Sequence, residues 1–230
     1  MIQMNPSLEF FLPRAIGVEL IYSFVIVVCS LMVYYATKEM YELSSYKGIK
    51  YFRQAFLFFA IAYFFRYFIQ FFLFFLNLRD ILEFSPIYIG WFSLFIFLFS
   101  SSMAVFYLLY SVMWKKWNHS RSRIILFNLL AIIIAIIGAT FREMEVSLML
   151  NFILLIFVSF ILFIAHKDSK NKQKGKNLLA IYLLLFVFWV LNVIEILIPR
   201  FLQMYNLVIY LASIALFMII LYKVLKKTGN

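Results

Sequence analysis

Residues 172–198 read KQKGKNLLAIYLLLFVFWVLNVIEILI. Three lysines, Lys172, Lys174 and Lys176, are followed by an apolar run from Leu178 to Ile198 that is broken only by Asn192 and Glu195 among strongly polar residues. A helix crossing the ~30 Å hydrocarbon core of a bilayer needs about 20 mainly apolar residues, which this run supplies. A basic cluster at one end of such a run is the pattern of a cytoplasmic membrane boundary.

Six further stretches repeat the pattern: Ala15–Thr37, Phe52–Leu76, Ile87–Met113, Ile124–Phe141, Val146–Ala165 and Tyr205–Tyr222. None shows the strict two-residue alternation of a membrane β-barrel strand, so the spans are expected to be helical. The expected fold class is an all-α integral membrane protein, a seven-transmembrane-helix bundle forming one domain over residues 1–230. The composition agrees, with 66% hydrophobic and 13% charged residues in a chain of 230. Soluble domains carry about 25% charged residues. The net charge of +11 would suggest nucleic acid in a soluble protein, but here it follows the loops, so no nucleic-acid partner is expected.

Those loops set the orientation. Lys38, Lys47, Lys50 and Arg53 follow the first span, and Lys115, Lys116, Arg121 and Arg123 follow the third. Lys167, Lys170, Lys172, Lys174 and Lys176 follow the fifth, and Lys223, Lys226 and Lys227 follow the seventh. The opposite side holds only Arg14, Arg79, Arg142 and Arg200. By the positive-inside rule the N-terminus is outside and the C-terminus in the cytoplasm, in a multi-pass protein of the cell membrane. The basic loops are also suited to anionic lipid headgroups.

Two Lys-Gly hairpins, Lys47–Gly48 and Lys174–Gly175, suggest an internal duplication. Aligning the third and seventh spans on their closing Lys-Lys pairs lays Ser102-Met-Ala-Val-Phe106 on Ser213-Ile-Ala-Leu-Phe217. The expected plan is a 3+1+3 parallel repeat over residues 15–113 and 146–227, with 124–141 as linker helix.

Apart from Arg53 at the basic edge of the second span, charge inside the spans is confined to Glu19, Arg66 and Glu195, and intramembrane charges face a bundle interior or a partner. Arg66 lies 13 residues beyond Arg53, roughly 20 Å from the inner boundary at about 1.5 Å per residue. Glu19 opens the first span and Glu195 closes the sixth, so all three share the outer half of the membrane. Helical spacing adds neighbours: Tyr63, Arg66, Tyr67 and Gln70 on the second span, Glu19, Tyr22 and Ser23 on the first, Trp189, Asn192 and Glu195 on the sixth. Asn206, Tyr210 and Ser213 share a face of the seventh. The candidate ligand-binding residues are therefore Glu19, Tyr22, Tyr63, Arg66, Tyr67, Gln70, Trp189, Asn192, Glu195 and Tyr210. Two roles fit equally: an outward pocket with an Arg–Glu pair at its floor, or a structural lock between helices. Snorkelling of Arg66 to the interface is a third. Ser100, Ser101 and Ser102 are expected to permit close packing, and Asn128 and Asn151 to bridge helices.

Catalysis, metal and cofactor are not expected. The single cysteine, Cys29, lies in an apolar run, and His119 and His166 sit at span boundaries, so no activated nucleophile or metal set is evident at membrane depth. The seventh span has no lysine for a retinal Schiff base, and the Pro-Gln signature of 3+1+3 sugar transporters is missing.

The segment Tyr35–Arg66 contains Thr37-Lys-Glu-Met-Tyr-Glu-Leu43, Lys47-Gly-Ile-Lys-Tyr-Phe-Arg53 and Ala55-Phe-Leu-Phe-Phe59. It resembles uncharacterised archaeal membrane proteins and is distantly similar to the seven-helix sensor modules of histidine kinases. The resemblance implies a sensor or receptor. Because the chain departs from the sensor pattern in having no output domain after the seventh span, it is expected to signal through a separate cytoplasmic partner docked on the basic loops. A small-solute transporter using the same pocket, or a structural subunit of a membrane complex, are the alternatives.

Overall fold

The computed structural model describes residues 13–68, 86–114, 121–141, 143–170, 176–198 and 204–228. Their regular structure is entirely helical: α1 Pro13–Ser44, α2 Lys47–Tyr63, α3 Pro86–Met113, α4 Arg121–Thr140, α5 Met144–Lys170, α6 Lys176–Leu197 and α7 Met204–Thr228. A π-helical turn, Phe64–Phe68, continues α2. All but α2 are long and apolar enough to cross a membrane; the chain is a polytopic membrane protein. The later part of the span expected over Phe52–Leu76 lies outside the described residues, as do Gln70 and much of the basic loops.

Local chemistry explains the boundaries. Both α1 and α3 begin at a proline, which has no N–H to leave unpaired in the first turn and a φ already suited to the helix. α1 ends where Ser45 enters the left-handed region at φ 50°, its N–H donating to the Tyr41 carbonyl at 2.8 Å. This cap turns the chain directly into α2.

The neighbour order is a closed ring, α1–α2–α3–α5–α6–α7 and back to α1, with α4 packed on α3 and touching α5. α2 is the aromatic hub. Its Phe56 and Phe59 reach across the ring to Phe217 on α7, with centroids 6.4 and 6.0 Å away, and Phe188 on α6 meets Phe217 at 4.7 Å. All four rings are buried and meet tilted or edge to face, as ring quadrupoles prefer. α4 docks through small side chains, since Ala131, Ala135, Gly138 and Ala139 are all buried. Small residues let helices approach where lipid offers no hydrophobic drive. The opposite face of α4, with Ile125, Leu129, Ile133 and Ile136, is exposed and suits lipid.

Ser100, Ser101 and Ser102 are buried in α3, as close packing requires. The asparagines depart from expectation. Asn128 donates to the Ile124 carbonyl and Asn151 to the Ser147 carbonyl, at 2.8 and 2.9 Å. Each thus closes a bond within its own helix one turn back, because that carbonyl is within reach without any crossing of the interface.

The α1–α2 turn yields two opposite predictions. A Cβ at Gly48 would stand 2.5 Å from the Tyr46 ring and 2.8 Å from the Trp114 indole nitrogen, so Gly48→Ala overpacks the turn and is expected to cost about 1–3 kcal/mol. Ser45→Gly relieves a left-handed backbone and is expected to stabilise by roughly 0.5–1 kcal/mol. Thermal unfolding of both variants in detergent checks the pair.

Candidate functional site

Glu19, Arg66 and Glu195 come together at one end of the bundle. There α1, α3, α5 and α7 begin while the α2 π turn and α6 end. Arg66 Nη2 donates to Glu195 Oε1 at 2.6 Å, with the two side chains 21% and 10% exposed. Arg66 Nη1 also donates to Asn192 Oδ1 at 3.4 Å, and its guanidinium lies 5.3 Å from the Phe97 ring centre. Arg66 therefore turns into the bundle and toward α6.

Why it can do so follows from the π turn that carries it. A π turn leaves backbone carbonyls outside the regular α ladder, and apolar surroundings demand that they be paired. Neighbouring helices supply the donors. Ser23 Oγ on α1 donates to the Tyr63 carbonyl at 2.6 Å, and Ser93 Oγ on α3 donates to the Phe65 carbonyl at 2.5 Å. These two serines stabilise the irregular turn from either side.

Tyrosines extend the cluster. Tyr63 Oη donates to Asn192 Oδ1 at 2.9 Å and accepts from Tyr22 Oη at 3.4 Å. Asn192 is itself oriented by its Nδ2, which donates to the Phe188 carbonyl at 2.9 Å. Tyr210 Oη lies 3.2 Å from Glu195 Oε1 and 3.4 Å from Glu19 Oε1. A phenol has one proton to donate, so Tyr210 serves one carboxylate well only at the expense of the other. Tyr22 stacks on Tyr210, centroids 4.7 Å apart, and holds it in place.

The cluster does not close into solid packing. It lines a cavity of about 470 Å³, within the range of small-molecule sites. Glu19, Tyr63, Arg66, Trp189, Asn192, Glu195 and Tyr210 all reach this cavity. Tyr22 stands behind it, buried between Tyr63 and Tyr210. The Tyr67 side chain and Gln70 lie outside the described residues. Two buried polar atoms on the wall, Trp189 Nε1 and Asn206 Oδ1, have no hydrogen-bond partner among the described residues.

Sequence reasoning passed over the α3 wall. Gly90, Ser93, Phe97 and Ser101 line the cavity, and their spacing of three and four residues would have revealed one face. Ser147 and Asn151 on α5 line it too, again one turn apart.

The chain is 30% identical over 232 aligned residues to an uncharacterised protein of Archaeoglobus fulgidus, covering 96% of this chain and 95% of that one. This chain belongs to that protein's family. The match spans nearly all of the archaeal protein, well beyond the Tyr35–Arg66 segment. No family model matches the chain, and no solved structure matches it. The likeness to kinase sensor modules is thus carried by neither.

The ion pair should carry a measurable share of stability. Removing one partner of a buried pair costs about 3–5 kcal/mol, and the partial exposure of Arg66 places Arg66→Gln near the lower bound. The double variant Arg66→Met/Glu195→Met removes both charges of the pair together and is expected to recover part of the loss. Melting temperatures of the parent, the single and the double variant in one detergent check both.

Proposed function

We propose that this chain is a receptor-like cell-membrane protein of seven spans, N-terminus outside and C-terminus in the cytoplasm, that binds a small solute in the Arg66–Glu195 cavity. Its work is binding rather than catalysis. The observation that carries this is the cavity itself. A lock alone is best built without empty volume, because voids forfeit dispersion contacts. Here the ion pair and its tyrosines border about 470 Å³ of space. The π turn under Arg66 adds support, since such turns recur at functional sites. The basic-residue asymmetry supports the orientation: the cavity lies at the end where Lys and Arg are scarce. In this proposal the second span runs Phe52–Leu76, and the signal passes to a separate cytoplasmic partner at the Lys-rich loops, which also meet anionic lipid.

A small-solute carrier is the second assignment, favoured by one feature of the packing. Exchanging α1, α2, α3 for α5, α6, α7 leaves the neighbour pattern unchanged. α1–α2 pairs with α5–α6, α2–α3 with α6–α7, and α1–α7 with α5–α3. Such a two-half arrangement, with α4 as linker, is common among carriers whose sites lie between the halves. Arg66 and Glu195 bridge α2 and α6, the corresponding helices.

Cysteine accessibility tests the outward opening. With Cys29→Ser as background, Asn206→Cys is expected to react with a membrane-impermeant thiol reagent in intact cells, while Thr228→Cys reacts only after permeabilisation. Reaction of Asn206→Cys only after permeabilisation would sink the outward pocket. In proteoliposomes, accumulation of a solute that binds the cavity would select the carrier over the receptor.

A further inference from the structure

We propose that the cavity selects an organic cation, an ammonium group held at Glu19 with a hydrogen-bond acceptor a short distance deeper for the Trp189 indole. The inference rests on the cavity being a ligand site, and it adds the chemical class of the ligand.

Charge is the first ground. Among the described residues the wall carries two carboxylates, Glu19 and Glu195, against one guanidinium, Arg66. Arg66 is committed to Glu195 at 2.6 Å. Among the described residues Glu19 forms no ion pair, and its one hydrogen bond there is the 3.4 Å contact from Tyr210. That hydroxyl sits closer to Glu195, at 3.2 Å. Glu19 is part-buried, and a carboxylate so poorly served beside an apolar bundle gains from any donor or cation that arrives. A cation balances the wall through charge alone, and one that keeps an N–H supplies the donor as well.

The second ground is independent and lies deeper. Trp189 is 5% exposed and borders the cavity, yet its indole Nε1 has no acceptor among the described residues. An indole can only donate, so its missing partner must be an acceptor atom. Trp189 precedes Glu195 by six residues on α6, about 9 Å along the axis at 1.5 Å per residue. The ligand thus presents positive charge near the mouth and an oxygen or similar acceptor further in. Tyr63 and Phe59 add aromatic rings to the lining, which suits an alkylated ammonium, since such cations are attracted to ring faces.

Isothermal titration calorimetry on the full chain in nanodiscs tests this with three probes: choline, its uncharged isostere 3,3-dimethylbutan-1-ol, and propionate. Choline is expected to bind, with the isostere at least tenfold weaker and propionate silent. Glu19→Gln is expected to weaken choline at least tenfold, and Trp189→Phe severalfold. The melting temperature of Glu19→Gln should stay at the parent value, since only one long contact is lost. Equal binding of choline and its isostere, preference for propionate, or choline affinity unmoved by Glu19→Gln would each overturn the cation assignment while leaving a ligand cavity. No heat from any probe at millimolar concentration also overturns it. The cavity assignment then stands or falls separately on labelling of Asn206→Cys.

Discussion

The contact between Arg66 and Glu195 organises the polar end of this bundle. Lipid tails are as apolar as leucine, so helices in a membrane gain little by hiding apolar faces from them. Specific pairing must come from packing shape and from polar groups that have no alternative partner. Here the guanidinium reaches α6 at 2.6 Å, takes in Asn192 on the same helix, and leaves Glu195 to meet Tyr210 of α7. Four elements, the α2 π turn, α6, α7 and, through Tyr210, α1, are tied by one charge and its neighbours.

A regular α-helix would not by itself account for this. The π turn places Arg66 where it faces α6, and the turn persists because Ser23 and Ser93 pair the Tyr63 and Phe65 carbonyls. Below it, Phe56, Phe59, Phe188 and Phe217 pack ring against ring, giving an aromatic floor. The molecule is thus divided along its axis. One end is a dense aromatic core, and the other is a charged, incompletely filled chamber. Lock and chamber are the same residues, because a charge network that holds helices apart at fixed distance also frames the space between them.

The site was partly legible from spacing. Glu19, Arg66, Asn192 and Glu195 stood out because charge and amide groups are rare in apolar runs, and helical periodicity drew Tyr63, Trp189 and Tyr210 to them. Gly90, Ser93 and Phe97 did not stand out, and Ser101 was marked only for close packing, although their spacing marks one face. Small and aromatic residues serve lipid contact, helix packing and ligand walls alike, so composition does not separate these uses. Asn128 and Asn151 show the converse: an amide that could bridge helices instead satisfies its own backbone.

What the sequence determined alone is the membrane-spanning helical character, because the length and apolarity of each run are local properties tied to bilayer thickness. The same holds for the candidate charges, which are visible wherever they are buried. Only the tertiary structure decided which helices are neighbours, that α4 packs on α3 rather than closing the ring, and that a π turn aims Arg66 at Glu195. It also decided that space remains beside them. The physical reason is that helix pairing in an apolar medium depends on side-chain shape and on long-range polar partners. Arg66 and Glu195, 129 residues apart in the chain, acquire meaning for each other only once the helices are packed.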